Sequence, residues 1–139
     1  PHKKIPQGNE RILVVEDEAL LADATKSILE SLGYQVTAMT NSIEALTLFQ
    51  SAPDLFDLII TDMTMPGMTG DVLAKKILDL KPGIPIIIAT GHSDILNPQN
   101  AKSIGIKGYL TKPALLRHLA EEVRRCLGGN NPEMNQDNG

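Results

Sequence analysis

Three short apolar runs, Ile12–Val15, Leu58–Ile60 and Ile84–Ala89, constrain this chain more than any other feature, because each is bounded by polar or turn residues. Ile12-Leu13-Val14-Val15 is continuous rather than alternating, the mark of a strand covered on both faces by helices. The run at 58–60 is β-branched and ends at Thr61-Asp62, before the Pro66-Gly67 break. All three strands finish on chemistry: Glu16-Asp17, Asp62 and Thr90. In an open parallel sheet, the carboxyl ends of the strands are where ligands bind.

The segments between them carry helical spacing. Leu21, Thr25, Ile28, Leu29 and Leu32 recur at that period, with Gly33 as a C-terminal cap. Tyr34 to Met39 alternates as an outer strand, and Asn41 or Ser42 caps a second helix carrying Leu46 and Phe49. A third helix after Pro66-Gly67 presents Val72, Leu73, Ile77 and Leu80 and stops at Lys81-Pro82-Gly83. The pattern weakens from His92 to Ile104, where Asn97-Pro98 fits a cap and first helical position, predicting a short helix from Pro98 to Ile104. Gly108 to Thr111 is a fifth strand running into Lys112-Pro113. Leu115, Leu116, Leu119, Val123 and Leu127 then line a last helix that Gly128-Gly129 ends.

Five strands alternating with five helices predict an α/β domain. The expected form is a flavodoxin-like three-layer sandwich whose five-stranded parallel sheet has the order 2-1-3-4-5. Residues 1–9 read as a linker or disordered tail, 10–127 as one domain and 128–139 as a disordered tail. A chain of 139 residues with 42% apolar content suffices for one core. The net charge is −4, and basic residues cluster only as Lys3-Lys4, Lys75-Lys76 and Arg124-Arg125, which argues against direct nucleic-acid binding. Cys126 is the single cysteine, so no internal disulfide forms, and no apolar run approaches the ~18 residues of a membrane span. With no signal peptide visible, the expected location is cytoplasmic.

That topology gathers Glu16, Asp17, Asp62, Thr90 and Lys112 along one edge. Carboxylates about 5 Å apart repel by roughly 3 kcal/mol per pair at an effective dielectric near 20, so the arrangement calls for a cation. Oxygen ligands without His or Cys suit Mg²⁺ or Mn²⁺. The ammonium and hydroxyl would serve a transferring phosphoryl group, with Asp62 its acceptor: a carboxylate already ionised at neutral pH needs no general base. Taken alone, Asp62 is more simply a turn cap, Lys112 a solvated lysine and Tyr109 a half-buried aromatic. The second acidic strand end and the Thr90 end outweigh that for the site residues. His92 reads as a surface loop histidine, and His2, His118 and Cys126 are assigned no function.

Glu16-Asp17, Asp62 followed by Met65-Pro66-Gly67, Thr90-Gly91 and Gly108-Tyr109-x-x-Lys112-Pro113 together closely resemble the receiver domain of two-component response regulators, over residues 10 to 127. The resemblance implies that Asp62 is the phosphoacceptor and that Asp17, Asp62 and the Thr64 backbone carbonyl bind Mg²⁺. Glu16 stands where the family usually has Asp. Thr90 and Tyr109 match the switch pair that reshapes the surface of the fourth helix, fifth strand and fifth helix. It further implies a phosphohistidine donor on a sensor histidine kinase or phosphotransfer domain, and allows a homodimer through the switching face. No enzymatic activity is expected beyond the domain's own phosphorylation and dephosphorylation, although the linker-like start fits a receiver attached after a kinase core in a hybrid histidine kinase. The Asn97-Pro98 element departs from a regular fourth helix, so that face is expected to be mobile or adapted to a particular partner.

Three other functions fit the sequence less well. An aspartyl-phosphate phosphohydrolase of the haloacid-dehalogenase type would carry a second Asp where Thr64 stands, and without it the chain lacks an acid/base for rapid turnover. A non-phosphorylated structural interaction module is disfavoured because every acceptor-site position holds a usable residue. A flavin or dinucleotide site is excluded by EDEAL in place of a glycine-rich turn after the first strand.

Overall fold

The computed structural model describes residues 4–91 and 103–128. In chain order the elements are β1 (Arg11–Val15), α1 (Ala19–Ser31), β2 (Gln35–Met39), α2 (Ser42–Ser51), β3 (Leu58–Asp62), α3 (Gly70–Leu80), β4 (Ile86–Thr90), β5 (Gly108–Thr111) and α4 (Leu116–Cys126). All strand pairs are parallel, in the order β2-β1-β3-β4-β5, the flavodoxin-like arrangement. Four helices stand among the described residues where periodicity predicts five. Of the remaining one, expected over 98–104, residues 98–102 lie outside the described set, as do His92 and the Asn97-Pro98 element, while Ser103 and Ile104 are helical.

Strand parity sorts the core into two layers. Leu13, Val15, Ile59, Ile86 and Ile88 pack against Ala45 and Phe49 of α2 and Leu73, Ala74 and Ile77 of α3. Their sequence neighbours Ile12, Val14, Leu58, Ile60 and Ile87 face the other way, onto Leu29 of α1 and Leu119, Ala120 and Val123 of α4. Successive strand side chains point to opposite faces, so an unbroken apolar run is what a sheet clad on both sides requires.

Local signals decide the ends. Asn41 caps α2, its side-chain oxygen accepting the Glu44 N–H at 2.9 Å. Leu32 is the C-cap of α1, and Gly33 follows at φ 103°, a conformation open to glycine; a Cβ there would sit 2.3 Å from the Gly8 carbonyl oxygen. Four expected core positions are instead exposed: Val72 (40%), Leu80 (44%), Leu115 (61%) and Leu116 (40%). The buried stripe of α3 is Gly70, Leu73, Ala74 and Ile77, at 3–4 spacing, and it excludes Val72 by about 100° of rotation. Leu115 and Leu116 are the N-cap and first residue of α4, ahead of its buried stripe.

Two ion-pair clusters fasten the end of the sheet away from the acidic strand tips. Arg11 grips Asp57 through Nη2 (3.0 Å) and Nε (3.2 Å), joining the starts of β1 and β3. Arg124 of α4 donates to Glu10 (2.7 Å) and to the Gln7 carbonyl (3.3 Å), and the Gly8 N–H donates to the Leu32 carbonyl (3.1 Å).

Candidate functional site

The register places the carboxyl ends of β1, β3, β4 and β5 side by side: Val15 pairs with Thr61, Asp62 with Ala89 and Thr90 with Thr111. Each strand then delivers its expected group. Glu16 and Asp17 leave β1, Asp62 is the last residue of β3, Thr90 the last of β4, and Lys112 directly follows β5, ahead of a cis bond to Pro113. One carboxylate oxygen from each of Glu16, Asp17 and Asp62 lies within 4.8 Å of the others. Lys112 Nζ bridges two of them, 3.0 Å from Glu16 Oε1 and 3.2 Å from Asp62 Oδ1.

Burial sets the electrostatics. Glu16 and Asp62 are only 7% and 4% exposed, whereas Asp17 is the more exposed of the three. Behind them a cavity of about 330 Å³, lined chiefly by apolar residues of α1, the sheet and α4, includes Glu16, Asp62 and Lys112 in its wall. Burial pushes the Glu16 carboxyl up to about 7, against the Glu18 N–H and Lys112, which stabilise its charge. Burial likewise raises Asp62 above the ordinary aspartate value, with Lys112 opposing. Burial pulls the Lys112 ammonium down, but Glu16 and Asp62 outweigh it and the net shift is upward. Three carboxylates against one ammonium leave a formal excess of two negative charges. An all-oxygen donor set with that excess suits a hard divalent cation.

The remaining expected residues sit on β4, on β5 and in the loop after β3. Thr90 is buried, its hydroxyl 3.5 Å from the Leu110 carbonyl oxygen. Tyr109 is half-buried against the α2–α3 layer, and Thr64 is exposed in the loop two residues beyond Asp62.

Sequence reading missed Gly70. The first turn of α3 runs so close to the end of β3 that a Cβ at 70 would lie 2.1 Å from the Asp62 carbonyl oxygen, and the Gly70 N–H donates to the Met63 carbonyl at 2.7 Å. A glycine opening a helix, where a better helix former is expected, was the available signal. The Glu18 N–H donating to Glu16 Oε2 at 3.1 Å was equally invisible, since it depends on how the chain turns out of β1.

The profile of the response regulator receiver domain matches residues 12–124. The chain is 35% identical to the response regulator receiver protein CpdR of Brucella abortus over 118 residues, covering 84% of this chain and 96% of that protein. It is 33% identical to the C4-dicarboxylate transport transcriptional regulatory protein DctD of Rhizobium meliloti, covering 83% of this chain but 25% of that protein. Against other curated relatives it spans about half of their length. Among solved structures, a response regulator receiver domain protein from Clostridium thermocellum superposes with a TM-score of 0.80 at 32% identity, covering 85% of this chain and 94% of that one. With this sheet order and this acidic, lysine-bridged strand edge, the chain belongs to the response regulator receiver domain family.

Proposed function

We propose that this domain accepts a phosphoryl group on Asp62 from a phosphohistidine and changes its surface in response. The observation that carries the reading is Lys112 Nζ held 3.0 Å from Glu16 and 3.2 Å from Asp62, beside a third carboxylate, at the carboxyl edge of a parallel sheet. In the transfer, an Asp62 carboxylate oxygen attacks phosphorus, a P–O bond forms and the P–N bond breaks. The departing imidazole keeps the electron pair and takes up a proton from solvent. Lys112 then exchanges one carboxylate contact for a phosphoryl oxygen, and the Thr90 hydroxyl supplies a second donor.

Glu16, Asp17, Asp62 and the Thr64 carbonyl are the groups that would hold Mg²⁺ or Mn²⁺. Such an ion, when bound, neutralises the charge that gathers on the phosphoryl oxygens. Asp17, the most exposed of the three carboxylates, is the natural first contact for a cation arriving from water. Glu16, one methylene longer than Asp, either reaches the ion or acts through a water.

Output is a population shift. Thr90 moves toward the new phosphoryl group, and the Tyr109 ring turns into the space it leaves, which alters the surface of β5 and α4. A sensor histidine kinase or a histidine phosphotransfer domain is the donor. No helix among the described residues is long and apolar enough to cross a membrane. A kinase-fed phosphorelay puts the domain in the cytoplasm in this reading.

Incubation with acetyl phosphate and Mg²⁺, followed by mapping of the modified residue by mass spectrometry, tests the reading. Label on Asp62, lost in Asp62→Asn and in chelator, is the expected result. Label that persists in Asp62→Asn at the wild-type rate refutes it.

A further inference from the structure

Among the described residues β5 is an edge strand, paired with β4 on one side only. An edge leaves alternate backbone groups pointing outward, a standing template for pairing with another extended chain. Here α4 lies beside that edge, and two of its side chains meet the outward groups. Arg125 Nη2 donates to the Lys107 carbonyl at 2.8 Å, and Glu122 Oε2 accepts the Tyr109 N–H at 2.8 Å. The two side chains are themselves joined, Arg125 Nε to Glu122 Oε1 at 3.0 Å and Nη2 to Oε2 at 2.8 Å.

The pattern matches a parallel ladder. In such a ladder, a residue on a neighbouring strand donates its N–H to the carbonyl of the residue before its partner and accepts the N–H of the residue after it. Lys107 and Tyr109 flank Gly108, so the guanidinium stands for the missing N–H and the carboxylate for the missing C=O. Gly108 has no room for a side chain. A Cβ there would lie 2.7 Å from Cys126 Sγ and 3.2 Å from Glu122 Oε2, both on α4, and 2.5 Å from Ile87 of the neighbouring strand. The Arg125 side chain is 58% exposed and Glu122 19% exposed, so the pair sits at the surface, where a strand arriving from solution would have to bind.

We propose that Glu122 and Arg125 act together as a surrogate strand residue that closes the β5 edge and prevents its pairing with the β5 of a second copy. Any self-association through this face then runs through side chains and not through an extended sheet. The proposal is independent of phosphorylation, because both bonds of the mimicry are present in the unmodified chain.

Exchanging the two residues, Glu122→Arg with Arg125→Glu, separates this from an ordinary surface ion pair. The exchange keeps opposite charges at the same spacing but turns a donor toward the Tyr109 N–H and an acceptor toward the Lys107 carbonyl. Amide hydrogen exchange of Tyr109 and sedimentation velocity are measured on the full chain in chelator, without a phosphoryl donor. A failure here therefore leaves the phosphoacceptor reading untouched, and the converse holds. Glu122→Gln, which retains an acceptor oxygen, keeps Tyr109 protected and the chain monomeric. At a dilution where it is monomeric, the exchanged protein loses protection at Tyr109 by about tenfold or more, the scale of one charge-assisted hydrogen bond, while amides of β1 and β3 stay slow; as concentration rises it self-associates and Tyr109 slows again. Should the exchanged protein unfold, Glu122→Ala removes the acceptor alone and is read in the same way. Wild-type exchange at Tyr109 in the exchanged protein at monomeric dilution overturns the proposal, as does a deprotected Tyr109 in a chain that stays monomeric at every concentration.

Discussion

Removing the charge of Glu16 should stabilise the metal-free protein, although Glu16 is half of a 3.0 Å ion pair with Lys112. The net balance is set by its upward shift to about 7, a value that already includes the Lys112 attraction. A group whose titration point is higher folded than unfolded favours the fold fully below its unfolded value and loses that contribution as pH rises through the folded one. Between pH 5 and pH 8, a carboxyl moving from the ordinary 4.5 to about 7 withdraws about 2.5 kcal/mol. Asp62 is shifted in the same direction, again by burial. Glu10, Asp57 and Glu122 are shifted downward, so their contributions change below this window, and Lys112 changes above it. Urea unfolding in chelator should therefore show wild type losing roughly 2–3 kcal/mol from pH 5 to pH 8, and Glu16→Gln losing about 1 kcal/mol or less. At pH 8 the variant should be the more stable protein by about 2 kcal/mol. A wild type as stable at pH 8 as at pH 5, or a variant with the same decline, refutes the reasoning.

Mg²⁺ at about a hundred times its dissociation constant should raise the unfolding free energy of wild type by roughly 2.7 kcal/mol at pH 8. Asp17→Asn should lose most of that gain while its metal-free stability barely changes, as read by thermal melts with and without the ion. Gly70→Ala should destabilise the fold by about 1–3 kcal/mol despite alanine's better helix propensity, and should slow Asp62 labelling by acetyl phosphate, because the end of β3 has to shift. Phe49→Ala, at a fully buried position of the α2–α3 layer, should cost about 3–5 kcal/mol in urea unfolding and leave residual labelling at Asp62 in the folded fraction.

The sheet was legible because its code is local. Uninterrupted runs such as Ile12–Val15 need two covering layers, and a polar residue at each run's end marks the edge where groups converge. The boundaries of β3 and β4 slid by a residue or two because Asp62 and Thr90 extend pairing that apolarity alone does not mark. Helix faces were harder. Val72 and Leu80 are as apolar as Leu73, and only the packed stripe through the small Gly70 and Ala74 shows which side turns inward. Contacts between distant positions stayed hidden, as with Arg124 and Glu10, separated by 114 residues, or Gly70 against the Asp62 carbonyl. Nothing local in those stretches encodes a partner that only tertiary folding supplies.

Strand parity carries a consequence for how the molecule can vary. Ile87 and Ile88 are bonded neighbours, yet they belong to separate apolar rooms divided by a wall one backbone thick. Volume lost in one room is not made good from the other, so compensating substitutions should be sought among residues of like parity and the helices above them. The α2–α3 room, which holds Tyr109, can thus be retuned while the α1–α4 room beneath the Lys112 bridge keeps its shape.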